Sequence, residues 1–75
     1  MDENEKMLYI MLIANILSDG HLTIMKFTTN WRGSFSTPSS REEIQFMYVA
    51  NSKEELLTEM LIGGFIEIKA KVNRK

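Results

Sequence analysis

The sequence has no cysteine, a single histidine and no long apolar segment, and each absence excludes a class of protein. Without cysteine, neither disulfides nor a thiolate zinc site can reinforce the fold, which fits a reducing compartment. The apolar run at residues 7–17 is shorter than the roughly 20 residues that span a bilayer. The residues before it are acidic, whereas a signal peptide begins with a basic leader. We therefore expect a cytoplasmic protein.

The chain also has little net charge, because nine basic and ten acidic residues leave −1 at pH 7. A net charge so close to zero excludes strong nucleic-acid binding that rests on charge alone. The two ends nevertheless differ in sign. Acidic residues precede the apolar run, whereas residues 70–75 carry only bases: Lys71, Arg74 and Lys75.

With 75 residues, of which 44% are hydrophobic and 25% charged, the chain is expected to form one small domain over residues 1–75, frayed at 1–3 and 73–75. At this size a single core supplies roughly 3–5 kcal/mol of stability. Since disulfides and thiolate metal sites are excluded, association with another chain is the remaining means of reinforcement.

The run at residues 7–17 contains one polar residue, Asn15, and is the element around which we expect the fold to be organised. Its Leu, Met and Ala content and the acids before it predict a helix over residues 4–18, ended by Asp19-Gly20. In the competing interpretation, Asp19-Gly20 is a hairpin turn between strands. A helix that is apolar nearly all round needs cover on two sides. We therefore predict a homodimer or partner interface formed by Met7, Leu8, Met11, Leu12 and Ile16.

From residue 21 the pattern alternates with period two, which predicts a strand through residues 22–27 and a second one through residues 31–36. The turn-prone residues 28–30 between them favour an antiparallel hairpin. Gly33, between Trp31 and Phe35, predicts a close approach by another backbone or a helix. Residues 43–50 fit a helix or a strand, because a capping box at Ser40 precedes an alternating pattern.

A second capping box opens at Ser52 and predicts a helix over residues 52–62. Gly63-Gly64 is expected to end this helix, and the alternation of Ile66, Ile68, Ala70 and Val72 predicts a final strand. The expected fold class is α+β: an N-terminal helix, a β-hairpin, a second helix and a C-terminal strand, with the helices packed on one face of a small antiparallel sheet.

No motif in the sequence carries evident catalytic or metal chemistry. His21 has no second histidine or cysteine with which to form a metal site, and it fits the surface at the start of a strand. The paired carboxylates at residues 42–43 and 54–55 fall where capping boxes already explain them. We therefore predict neither an enzyme nor a cofactor.

A basic aromatic hairpin offers an alternative function. Small domains hold single-stranded nucleic acid by stacking a ring on a base while cations meet phosphate. The candidate ligand-facing residues are Lys26, Trp31, Arg32 and Arg41, joined by Lys69, Lys71, Arg74 and Lys75 if the last strand lies in the same sheet. In the opposing interpretation, Trp31 and Phe35 belong to the core and the cations solvate the outer face.

The segments Trp31-Arg32-Gly33-Ser34-Phe35 and Asn51-Ser52-Lys53-Glu54-Glu55-Leu56-Leu57 resemble the pattern of HicB-like domains, in which an aromatic strand precedes a Ser-x-Glu-Glu helix start and a final strand. The likeness covers residues 22–72 and extends to short proteins of bacteria and phages. It departs from the pattern in the irregular segment between the aromatic strand and the helix, in the added N-terminal helix and in the lack of a following DNA-binding domain. The resemblance implies a regulatory module that neutralises a protein partner. Six methionines, which make adaptable contacts as well as filling cores, agree with such a role.

Overall fold

The computed structural model describes residues 1–73, which form three helices and a three-stranded sheet. The elements follow the order α1 (Glu3–Ser18), β1 (Thr23–Lys26), β2 (Trp31–Ser34), α2 (Arg41–Gln45), β3 (Tyr48–Ala50) and α3 (Lys53–Val72). The strands pair antiparallel in the order β1-β2-β3. The expected α+β class, with helices packed on a small antiparallel sheet, is confirmed.

Each helix begins at a residue whose side chain satisfies an orphan backbone N–H. The Asp2 carboxylate accepts from the Glu5 amide at 2.8 Å, and the Ser40 and Ser52 hydroxyls accept from the amides of Glu43 and Glu55. At the end of α1, Asp19 takes a left-handed conformation with φ 55°, followed by Gly20 with φ 88°. The helix predicted over residues 4–18 and its stop are thus confirmed, and the hairpin interpretation of Asp19-Gly20 is wrong.

The hairpin of β1 and β2 is also confirmed, since Ile24 lies opposite Gly33 and Lys26 opposite Trp31. The ambiguous segment at residues 43–50 contains both structures that were considered, because the short α2 runs directly into β3. The close approach of a helix that was predicted at Gly33 is confirmed. A Cβ there would lie against the Met60 and Leu56 side chains of α3.

The final strand predicted for residues 66–72 is wrong, because α3 continues without a break to Val72. Gly63 and Gly64 do not end the helix but lie where neighbours come close: Gly63 under the Tyr48 ring, Gly64 beside Ile13 and Phe35. Continuation of the helix also packs Ile68 against the core. These contacts outweigh the low helix propensity of two glycines.

The core lies between α1, α3 and one face of the sheet. Helices α1 and α3 run parallel, because Lys53 pairs with Glu3 at 3.3 Å near their first turns, while Lys71 Nζ donates to the Ile16 carbonyl at 2.9 Å near their ends. The best-buried side chains come from these two helices: Ile10, Leu56, Leu57 and Met60. α3 contacts α1 as well as β2 and β3, and therefore holds the domain together.

A contact between β3 and α3 predicts a response to alkaline pH. The Tyr48 hydroxyl donates to a Glu67 carboxylate oxygen at 2.7 Å, and burial, this hydrogen bond and the negative charge of Glu67 together raise the pKa of Tyr48 well above its ordinary 10.0. Because the pKa of Tyr48 is higher in the folded protein than in the unfolded chain, the stabilisation from its protonated hydroxyl is present below pH 10. This stabilisation is lost as the pH rises towards the folded-state pKa.

We therefore expect the unfolding free energy of the wild type to fall more steeply above about pH 10 than that of Tyr48→Phe, which has no phenol to ionise. Urea unfolding followed by the fluorescence of Trp31 at a series of pH values would measure both slopes. Parallel curves for the two proteins would contradict this prediction.

Candidate functional site

The outer face of α1 is a row of apolar side chains on the side of the helix away from the core. Leu8 is 62% exposed and Leu12 57% exposed, and they lie one turn apart on the same side. The opposite side of α1 packs against the core. The outer face, as we use the term, comprises Leu8, Met11, Leu12 and Ile16, all at least half exposed.

Met7 was expected in the same surface but lies elsewhere. It is partly buried and packs against the core cluster of Ile10, Leu57 and their neighbours. Four of the five predicted interface residues are therefore brought together on the exposed side of α1, and the fifth belongs to the rim of the core. The prediction that they contact another chain remains a prediction.

A shallow groove crosses the first half of this outer face. It encloses about 330 Å³ and is lined by Leu8, Tyr9 and Leu12, with Glu5 at its edge. Tyr9 is itself 45% exposed, so the groove presents an aromatic ring beside two leucines. Large apolar side chains with a polar edge are typical of surfaces that bind proteins.

The charges around the outer face of α1 are acidic at its N-terminal end. Asp2 and Glu5 lie in or beside the first turn, where they also favour the helix dipole, whereas the Glu3 carboxylate pairs with Lys53 of α3 at 3.3 Å. The base in this part of α1, Lys6, points towards α3, where its ammonium donates to Thr58 Oγ1 at 3.0 Å. Because Lys6 is engaged in this way, it does not offset the acidic end of the groove.

The candidate nucleic-acid residues do not share one face. Lys26 and Trp31 are cross-strand partners, and the Lys26 ammonium lies 5.7 Å from the centroid of the indole ring, which packs against the core. Arg32 is one position further along β2 and points to the opposite face, since side chains alternate along a strand. Its guanidinium donates to the Ile44 carbonyl at 3.1 Å, and Arg41 lies exposed at the start of α2.

The C-terminal cations are also removed from the sheet. Lys69 and Lys71 belong to α3 rather than to a fourth strand, so a basic sheet face that includes them does not form. Arg74 and Lys75 lie outside the described residues. Nucleic-acid binding stays a prediction, and the fold keeps Lys26 and Trp31 together but places Arg32 and Arg41 elsewhere.

The residues considered for catalysis are likewise apart. His21 is exposed after the end of α1. Glu43 accepts from the backbone N–H and hydroxyl of Ser39 at the start of α2, and the Glu55 amide is capped by Ser52. Among residues 1–73, no three histidine or acidic side chains lie close enough to hold a metal ion. The same residues include no helix both long and apolar enough to cross a membrane.

A polar cleft lies over the start of α3. Its volume is about 620 Å³, and its lining includes Lys6, Glu54, Glu55 and Glu59. Asn30 also lines it, with a buried side-chain oxygen that has no hydrogen-bond partner within residues 1–73. The charged residues of the lining are mainly acidic, and Lys6 already lies 3.9 Å from Glu54, so the cleft shows no arrangement built for an anion.

A second exposed apolar surface was missed by the sequence interpretation. Ile62, Phe65 and Ile66 lie on the side of α3 away from the core and are 55%, 55% and 63% exposed. The assumed strand after Gly64 had divided them between two elements. The signal that would have found them is the helical spacing of Glu59, Ile62, Ile66 and Lys69, which are three, four and three positions apart.

Comparison with known proteins adds no relative from which a function could be transferred. No protein-family model matches the chain, and neither the curated proteins nor the solved structures yield a match, so the resemblance to HicB-like domains stays a prediction.

Proposed function

We propose that this chain is a small protein-binding module of the regulatory or inhibitory kind, which acts by covering or adjusting a surface of a partner protein. The outer face of α1 is the observation that carries the proposal. It places four large apolar side chains, each at least half exposed, on a helix whose other side packs against the core.

The energetic argument starts from the size of these side chains. Burying a Leu, Ile or Met side chain contributes roughly 1.5–3 kcal/mol relative to leaving it in water. The four side chains of the outer face are about half exposed, so a partner that covers them gains roughly half of that free energy for each. Summed over four residues, the gain is comparable with the few kcal/mol of stability expected for a domain of this size.

The shape and charge of the surface describe the partner. The groove between Leu8, Tyr9 and Leu12 accepts an apolar side chain, and the acidic residues at the start of α1 favour a lysine or arginine beside it. The partner is therefore an apolar protein segment flanked by a basic residue at the end that meets Glu5. Such complementary charges raise the association rate and select the orientation more than they raise the affinity.

Replacing Leu12 by glutamate tests the proposal. The side chain is 57% exposed, so we expect the unfolding free energy to change by about 0.5 kcal/mol or less, while partner binding is lost. The tagged wild type and variant would be compared in pull-downs from extracts of the native cells, followed by calorimetry with each purified candidate partner.

Phe46→Glu is the matched control, because Phe46 is 87% exposed and lies after α2, away from α1. A partner of the outer face must be retained by Phe46→Glu and by the wild type and be absent with Leu12→Glu. Equal capture by all three proteins, or loss with the control as well, would overturn the proposal.

The alternative, a nucleic-acid binder, has its own test. Salt-reversible quenching of the Trp31 fluorescence by single-stranded oligonucleotides would favour it. The absence of quenching at low salt would exclude nucleic-acid binding through Trp31.

A further inference from the structure

The exposed side of α3 carries an acid, two apolar residues and a base in that order, so the same series read in the opposite direction is complementary to it. Along one stripe the residues are Glu59, Ile62, Ile66 and Lys69, spaced three, four and three positions apart. This spacing keeps them on one side of a helix and is the repeat by which two helices pack along a seam. All four are exposed, and we call them the α3 stripe.

Two-fold symmetry makes the complementarity specific. When a second copy of α3 lies antiparallel across the first with the axis near Gly64, Ile62 of each copy falls opposite Ile66 of the other. The same register places Glu59 of each copy opposite Lys69 of the other. The apolar pair and the ion pair therefore each form twice, as in every isologous interface.

The competing arrangements are less favourable. A parallel pairing in register would bring Glu59 against Glu59 and Lys69 against Lys69, and like charges across a helical seam are repulsive. Neither Glu59 nor Lys69 forms an ion pair within residues 1–73, so both are available to a second chain. Phe65, 55% exposed beside the stripe, adds aromatic area to the same surface.

From this pattern we infer that the α3 stripe is a self-association surface, through which two copies of the chain pair antiparallel along α3. This inference goes beyond the proposed function, because it uses a different surface and a different occupant. From the sequence, the apolar residues of α1 were predicted to form a homodimer or partner interface. With α3 as the dimer seam, that outer face remains free for the partner protein.

A charge exchange tests the pairing directly. We expect Glu59→Lys and Lys69→Glu each to raise the dimer dissociation constant about tenfold at low salt, since each replaces two attractive contacts by two repulsive ones. The double variant Glu59→Lys/Lys69→Glu restores opposite charges across the seam and is expected to return to within a few-fold of the wild type. Sedimentation velocity over a concentration series would give all four constants.

Matched controls come from α2, where Glu42→Lys and Arg41→Glu make the same charge changes at exposed positions away from the stripe. They are expected to leave the dissociation constant nearly unchanged. Leu12→Glu is expected to leave it unchanged as well, so that failure of this inference and failure of the proposed function give different results.

The register has an independent readout, because the natural chain contains no cysteine. Mixing Ile62→Cys with Ile66→Cys should produce the mixed disulfide faster than either variant forms a disulfide with itself. A wild type that stays monomeric at all concentrations, a dimer abolished by Leu12→Glu, a double variant no better than the single ones, or homodisulfides that form first would overturn the inference.

Discussion

Replacing Leu56 by alanine is expected to unfold a large part of the protein at room temperature. Leu56 is fully buried in α3, where its side chain approaches Gly33 of β2. Truncating a leucine in such a place costs about 2–5 kcal/mol, through lost burial and the cavity that remains. The free energy of unfolding of the whole domain is expected to be only roughly 3–5 kcal/mol. The loss is therefore comparable with the total stability.

Thermal and urea unfolding followed by circular dichroism would measure this effect. A domain of this size loses about 4–8 °C in Tm per kcal/mol, so a drop of at least about 10 °C is expected. Leu8→Ala is the matched control, since it makes the same chemical change at a position that is 62% exposed. We expect it to shift Tm by only a few degrees. Equal shifts in the two variants would contradict the packing described for α3.

Replacing Gly64 by valine is expected to have the second largest effect on stability. A Cβ at this position would lie 2.8 Å from Ile13 Cγ2 and 3.1 Å from Phe35 Cζ, so α1 and the segment that follows β2 would have to move away from α3. Overpacking of this kind costs about 1–3 kcal/mol, and the two further methyl groups of valine increase the displacement. The better helix propensity of valine than of glycine offsets only a few tenths of a kcal/mol.

Ala70→Val provides the comparison, because it adds the same branched side chain at an exposed position of the same helix. It is expected to cost less than about 1 kcal/mol, through helix propensity alone. Urea unfolding of both variants would decide between the two interpretations of residues 63–72. If residues 66–72 formed a strand, valine at position 70 would be favoured, so an Ala70→Val protein more stable than the wild type would contradict the continuous helix. A Gly64→Val protein of wild-type stability would contradict the close approach described for Gly64.

The local signals in the sequence were sufficient for most of the elements. Asp2 and the two serines at residues 40 and 52 cap helices because a short oxygen-bearing side chain can reach the amide three residues on, a contact that needs no other part of the fold. The stop at Asp19-Gly20 and the hairpin register are likewise local. For residues 43–50 the local signals favoured both a helix and a strand, and the protein forms the short helix α2 followed by the strand β3.

The sequence could also indicate that α1 has more apolar surface than one packing side can cover, because composition around a helix follows directly from residue spacing. It could not indicate which of these side chains are exposed. Met7 packs against the core while Leu8 is exposed, and which of the two is covered depends on the position of α3. The same dependence separated Lys26 and Trp31 from Arg32, whose faces are set by strand pairing.

By itself, then, the amino-acid sequence determined the helix starts, the stop of α1, the hairpin and the α+β class, since each depends on contacts between residues close in the chain. Only the tertiary structure decided the course of residues 63–72. Two glycines followed by alternating apolar residues favour a turn and a strand locally. The parallel packing of α1 on α3 instead uses the missing side chain of Gly64 for close approach, and thereby creates the exposed stripe of α3.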